Sequence, residues 1–323
     1  MEIFNPHSNI NFMGWRKVSL AISGALMILA AAAIFVRGLD YGLDFTGGVM
    51  VEVKYDKPID VADVRAALTA AGMPKAMVQS LGSTEEYAIR LTPEEGEKTE
   101  GVDASEDKVG HDKVSANIKA ALSKDRPDVT LKPSVFVGPQ VGEELRTDGL
   151  IAVVFVIIGI AVYLWIRFEW RFAIAAVASE IHDALITVGL FALTGREFDL
   201  TSLAAVLSVV GYSINDKIVV FDRVRELFRS SRKADPEEVL NRSINSTMSR
   251  TLMTGLTTAL AVGTLFFFGG PTLENFALIM LMGIVIGVLS SIFFANPILL
   301  WLGVSKKDLM PVTRDNPELA RRP

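Results

Sequence analysis

The sequence predicts a membrane α-helical bundle of six transmembrane helices carrying one α+β domain of ferredoxin-like (βαββαβ) type. Three observations carry this reading. Half of the 323 residues are apolar, and the mean hydropathy is positive. The apolar residues gather in six runs of roughly 17–25 residues, the length that crosses ~30 Å of hydrocarbon at 1.5 Å per residue. One polar stretch of domain size, residues 37–148, follows the first run.

The runs are residues 18–36, 150–166, 172–194, 200–221, 252–268 and 276–302. They are apolar on every side, which calls for apolar surroundings on every side. Hydrocarbon offers backbone groups no water, so each run is expected to be a helix. The first is longer than the apolar core of a cleaved signal, and is read as a retained span. The sequence contains no cysteine, so neither a disulfide nor a thiolate metal site is available.

Lysine and arginine near the span ends set the orientation. Arg16 and Lys17 precede the first span, and Arg167 and Arg171 join the second to the third. Arg223, Arg225, Arg229, Arg232, Lys233, Arg242 and Arg250 lie between the fourth and fifth, and Lys306, Lys307, Arg314, Arg321 and Arg322 follow the last. Alternating spans put all of these on one face, against Arg196 in the short loops of the other. Both tails (1–17 and 303–323) and the loop 222–250 are therefore expected in the cytoplasm, and residues 37–148 outside.

Within the outer segment, Val49, Val51, Val53 and Tyr55 alternate with polar residues, as in a half-buried strand. Val61, Val64, Ala67, Leu68 and Ala71 fall on one helical face after a candidate N-cap, Asp60. Residues 77–81 and 87–91 form a hairpin around Gly82-Ser83-Thr84. A second helix with Val114, Ile118, Ala121 and Leu122 inward leads to a strand over 129–137, broken at Pro133. Two strand–helix–strand halves compose the ferredoxin-like pattern. Residues 92–112 are acidic and nearly free of apolar side chains, which predicts a solvated loop. An acidic outer segment repels phosphates, so nucleic acid is not an expected partner.

Ionisable residues inside the spans are the functional signal, since each costs roughly 2.5–3.5 kcal/mol at mid-bilayer on insertion scales. The third span carries Glu180, His182 and Asp183; the fourth carries Ser213, Asn215, Asp216 and Lys217, followed by Asp222 and Arg223. Burial favours the protonated form of a carboxyl and a nearby cation favours the ionised form, the physical requirement for a proton relay. Two readings stand: Asp216 and Asp183 exchange protons, or they are permanent partners that hold helices together. His182 suits interhelical packing as well as relay. Lys217 adjoins Asp216 but points about 100° away, and is expected to snorkel toward the cytoplasm. Arg250 opens the fifth span and is the cation expected to reach Asp216.

Glycines add shape. Gly42-Leu43-Asp44-Phe45-Thr46-Gly47-Gly48 follows the first span, with two adjacent glycines that permit a tight turn into the first strand. Gly211, Gly255, Gly263, Gly283 and Gly287 lie in the last three spans, and Gly283-x-x-x-Gly287 permits close helix approach. Asp235-Pro236-Glu237-Glu238 reads as a capped helix start, predicting a short amphipathic helix to Met248 on the cytoplasmic face.

Together these residues resemble the SecF family over nearly the whole chain. The specific matches are the turn from Gly42 through Asp44, Phe45, Thr46, Gly47 and Gly48, then His182-Asp183, Gly211-Tyr212-Ser213-Ile214-Asn215-Asp216 running on to Asp222-Arg223, and Arg250-Thr251-Leu252-Met253-Thr254. Glu180 and the acidic stretch 94–112 are not parts of the family pattern. The resemblance implies a multi-pass subunit of the bacterial inner (plasma) membrane with residues 37–148 periplasmic. It implies a SecD-like partner, a SecYEG-type channel with YajC/YidC-type accessory proteins, a translocating preprotein and membrane lipid. The pair would drive late steps of preprotein export with the proton motive force, with no cofactor, no metal and no catalytic residue. The chain has no P-loop for ATP. In this scheme Asp216 carries the proton, Arg250 assists, Asp183 and His182 complete the relay, and the motion reaches the outer domain through the first span and the Asp44–Gly48 turn. Alternatives are a proton-coupled small-molecule or lipid exporter of the same resistance–nodulation–division superfamily, a passive scaffold subunit, and an intramembrane protease, for which no paired catalytic signature is present.

Overall fold

The computed structural model describes residues 9–74, 76–81, 83–91, 115–124, 126–132, 134–230 and 235–305. Among them, six helices are long and apolar enough to cross a membrane. They are α1 (Arg16–Arg37), α5 (Pro139–Arg167), α6 (Trp170–Thr194), α7 (Leu200–Ser230), α8 (Pro236–Phe268) and α9 (Pro271–Ser290) with its continuation. That continuation is a π-helical turn, Ser291–Ala295, leading into α10 (Asn296–Trp301). Its cause is local. Pro297 has no N–H to give and its ring crowds the preceding turn, and the wider π turn accommodates it. Asn296 Nδ2 donates to the Ser291 carbonyl at 2.6 Å.

α6, α7 and α9 form the inside of the bundle, while α1 and α5 present most of their circumference outward. Small residues set the spacing. A Cβ on Gly283 would overlap Val209, and one on Gly287 would meet Ser213 Oγ at 2.7 Å, so α9 lies directly against α7. Gly189 of α6 meets Ala30 of α1 in the same way. All four tryptophans, Trp15, Trp165, Trp170 and Trp301, are exposed. They stand at the start of α1, the end of α5, the start of α6 and the end of α10. Alternating helices bring these ends to one level, the place where indoles settle at a membrane interface.

α8 differs from the expectation of a short amphipathic helix followed by a span: it is one helix of 33 residues. Its first turns lean on α7, with Val239, Leu240, Ile244 and Met248 in one buried cluster with Phe221, Val224, Leu227 and Phe228. The polar residues that suggested a break are absorbed inside the helix. Ser243, Thr247 and Thr254 donate to the carbonyls of Val239, Ser243 and Arg250, four residues back. α7 extends beside it to Ser230, past the expected end at residue 221.

The remaining described residues build an α+β domain. β2 (Gly48–Tyr55), α3 (Val61–Ala70), β3 (Met77–Ser80), β4 (Glu86–Leu91), α4 (helical over 115–123), β5 (Val129–Leu131) and β6 (Val135–Val137) follow in order. The sheet runs β3-β4-β2-β5, antiparallel throughout, with β6 on the same edge of β2 as β5. β5 and β6 are two pieces of one strand interrupted around residue 133. Val49, Val51, Val53 and Tyr55 of β2 share a core with Val64 and Leu68 of α3 and Ile118 and Leu122 of α4, so both helices cover one face. Asp60 caps α3, accepting from the Ala62 N–H at 2.8 Å. Ala71, expected inward, is instead the exposed C-cap. Val114 and the acidic stretch 92–112 lie outside the described residues.

Candidate functional site

The charged residues of the spans meet between α6, α7 and α9. Glu180 and Asp183 are three residues apart and share a face of α6, while Ser213 and Lys217 are four apart on α7. Lys217 Nζ donates to Glu180 Oε1 at 2.6 Å, to Asp183 Oδ2 at 2.7 Å and to Ser213 Oγ at 2.7 Å, which uses its three donors. Asp183 Oδ2 also accepts from Ser213 Oγ at 2.6 Å and from Ser290 Oγ of α9 at 2.7 Å. Asp183 Oδ1 lies 2.8 Å from His182 Nδ1, and the imidazole stacks on Phe294 with centroids 4.1 Å apart. Lys217 and Asp183 are fully buried. Among the described residues no cluster of His, Asp and Glu is placed to hold a metal ion.

One sequence expectation is corrected here, while Arg250 reaches the Asp216 region as expected, without an ion pair among the described residues. Lys217 does not snorkel to the cytoplasm. One step along α7 turns it from the α8 side, where Asp216 points, to the α6 side, where two carboxylates repay its desolvation. Arg250 does not pair with Asp216. It is exposed, and it lies within electrostatic reach of Asp216 beside Thr254, but no ion pair joins the two among the described residues. Asp216 is itself buried, and its Oδ2 has no hydrogen-bond partner among the described residues.

The other residues of the α7 motif divide by face. Ser213 points inward to Asp183. Gly211 and Asn215 are exposed on the outer face, in line with Ala204 and Ser208. At the tryptophan level, Asp222 receives both oxygens' hydrogen bonds from Arg167 Nη2 at 2.9 Å, and Arg223 pairs with Glu226 at 2.6 Å. Sequence reading passed over Glu180, Lys217 and Ser290 as members of one cluster. The signal for the first two was present: three charges in apolar runs, at i,i+3 and i,i+4 spacing with a serine, on consecutive antiparallel spans.

The glycine turn after α1 is a junction. β1 (Asp40–Tyr41) pairs with β7 (Glu197–Phe198) in the α6–α7 connection, and the Gly42 N–H donates to the Phe198 carbonyl at 2.9 Å. α2 (Leu43–Thr46) follows. Asp44 Oδ2 accepts from the Leu200 N–H at 3.0 Å, so it caps α7 from another part of the chain. Phe45 stacks on Phe198. Thr46 Oγ1 donates to the Gly42 carbonyl at 3.1 Å and closes the turn. Gly47 (φ +68°) and Gly48 (φ +126°) occupy backbone regions closed to other residues. A Cβ on Gly142 of α5 would meet Gly47 N at 2.9 Å, so α5 leaves no gap over the turn. From the sheet domain, Arg90 of β4 forms a bidentate ion pair with Glu197 beside this junction.

Comparison with known proteins agrees with this architecture. The family described as protein export membrane protein SecD/SecF, C-terminal, matches residues 117–305. The SecD/SecF GG motif matches residues 32–59, which contain the glycine turn. Protein translocase subunit SecF of Pseudomonas aeruginosa is 42% identical over 302 residues, 94% of each chain. That of Escherichia coli O157:H7 is 40% identical over 300 residues, 93% of this chain and 90% of the relative. The crystal structure of SecDF, a translocon-associated membrane protein from Thermus thermophilus, superposes with a TM-score of 0.80 at 33% identity. That match covers 93% of this chain and 39% of the SecDF chain. SecDF in its super-membrane-facing form gives 0.64 at 34% identity, over 91% and 39%. This chain thus corresponds to about two fifths of SecDF, and it belongs to the SecF family of protein translocase subunits, as a multi-pass inner-membrane protein.

Proposed function

We propose that this chain works with a SecD-like subunit to drive late steps of preprotein export with the proton motive force, and that Asp216 is its proton carrier. The observation that carries the reading is the burial of Asp216 in a membrane span with one carboxylate oxygen unpartnered. A carboxylate that only holds helices together is expected to satisfy both of its oxygens. Thr254 and Arg250 of α8 lie on its side of α7. Asp183 and His182 hold Lys217 and the α6–α7–α9 contact on the other side of α7. The electrical gradient supplies about 2.3 kcal/mol per charge per 100 mV.

The partner reading rests on surface chemistry. Asn215, Gly211 and Ser208 of α7 and Arg250 of α8 are exposed, and acyl chains cannot satisfy asparagine or arginine. Helices of a second subunit can, and this chain matches only 39% of the SecDF chain. The sheet domain is read as ferredoxin-like on its strand order and its two helices on one face, and as periplasmic on the lysine and arginine distribution with both termini cytoplasmic. Contact with a SecYEG-type channel, YajC/YidC-type proteins and the preprotein belongs to the same reading. The test is Asp216→Asn in cells lacking their own SecF. The expected result is loss of export complementation with the protein still made and inserted; normal export overturns the carrier role.

A further inference from the structure

The Lys217 cluster holds two carboxyls and one ammonium in a dry interior, with Glu180, Asp183 and Lys217 all buried. Ionising both carboxyls leaves one net negative charge there, the arrangement that low dielectric penalises most. One carboxyl therefore holds a proton. Their surroundings differ. Asp183 accepts from Lys217, Ser213 and Ser290 on Oδ2 and faces His182 on Oδ1. Glu180 receives Lys217 alone, on Oε1, and its Oε2 is buried with no partner among the described residues. Donors stabilise the ionised form, so the charge belongs on Asp183.

The remaining ionisable neighbours do not supply the missing charge. His182 would have to be doubly protonated, and its Nε2 is buried with no acceptor among the described residues. Asp216 is acidic and turned toward α8. Arg250 is exposed on α8, and α9 brings only the hydroxyl of Ser290 to the cluster.

We infer that Glu180 is a second proton-binding site, neutral at rest, and that one proton is shared between Glu180 and Asp183 across Lys217. When the shared proton passes from Glu180 to Asp183, Lys217 gives one N–H proton to Asp183 Oδ2 and takes the Glu180 proton in its place, so one O–H bond breaks and one forms. Lys217 bonds both carboxyls, so it faces the carboxylate in either state and the cluster keeps a net charge of zero. This site deepens the relay reading and rests on it for direction; the resting protonation state stands alone.

Infrared spectroscopy of the full chain in lipid vesicles tests it, using the carbonyl band of protonated carboxylic acids at neutral pH. The band is expected to shift when the glutamate side-chain carboxyls carry carbon-13, to be unmoved by labelled aspartate, and to vanish in Glu180→Gln. In Lys217→Met a second band, sensitive to the aspartate label, is expected, because both carboxyls must then hold protons. A resting band that follows the aspartate label in the Asp216→Asn background, where the carrier aspartate is absent, or a glutamate band that survives Glu180→Gln, overturns the inference. Asp216→Asn separates the two proposals. Normal export in that variant ends the carrier role and leaves the glutamate band in place, whereas a missing glutamate band ends this inference and leaves the carrier role untouched.

Discussion

In the sheet domain the side chains cut off from their surroundings are Val51, Val53, Leu68, Ile89 and Ile118, whereas at the centre of the bundle they include Lys217 and Asp183. The domain keeps its ion pairs near the surface: Lys132 with Glu86 at 2.9 Å, and Arg126 with Asp128 at 2.8 Å. The same chain therefore places charge in two dielectric settings. Exposed pairs contribute little because water already solvates each member. A buried pair has lost that solvation and depends on its partner, so removing one member exposes a large penalty. The difference rests the domain on apolar burial and the centre of the bundle on paired charge.

The comparison can be broken at its strongest point first. Lys217→Ala leaves two carboxyls without their cation, and the expected loss is about 3–5 kcal/mol of bundle stability. Tryptophan fluorescence reads it, since all four tryptophans are in the bundle. Asp183→Asn combined with Lys217→Met removes both members of the charged pair and is expected to be milder than Lys217→Ala. A harsher double variant would show that the cluster is not an ion pair at all. In the sheet domain, Asp60→Ala removes the cap of α3 at an expected loss of about 1 kcal/mol. Faster hydrogen exchange over Val61–Ala70, with the bundle unaffected, is the readout.

The smallest effect is one of pH. Arg126 donates to both oxygens of Asp128, at 2.8 and 2.9 Å, and pulls its carboxyl down to about 2. An unfolded aspartate titrates near ~3.9, so the unfolded chain binds the proton first as pH falls. The stabilisation is complete above about pH 4 and is lost as pH falls toward about 2. Asp128→Asn is expected to flatten that part of the acid limb, followed through Tyr55 and Tyr87, with no change near neutrality.

How much of this was legible in the sequence depends on whether a feature is local. The β2 alternation of Val49, Val51, Val53 and Tyr55 and the Asp60 cap are settled within a few residues, and the structure has both. The six apolar helices were equally plain, because lipid imposes a length. The start of α8 was not, because the hydroxyls of Ser243 and Thr247 bond inside their own helix while Leu240 and Ile244 find α7. The Lys217 cluster was half legible. Spacing puts Glu180 with Asp183 and Ser213 with Lys217, but only the rotation of α6 against α7 brings the two faces together, and tertiary packing, not local sequence, sets it. Arg250 was legible for the same reason as the spans: it opens the fifth run, beside the cytoplasmic end of the fourth, and the structure has it within electrostatic reach of Asp216.

The central claim is that Asp216, buried with one carboxylate oxygen unpartnered among the described residues, exchanges protons across the membrane. Proton flux through vesicles containing this chain with its SecD-like partner, under an imposed gradient, measures it directly. The account predicts a flux that falls to the level of empty vesicles in Asp216→Asn and persists in Asp128→Asn. An Asp216→Asn protein that is folded, paired with its partner and conducts protons like the wild type would contradict it.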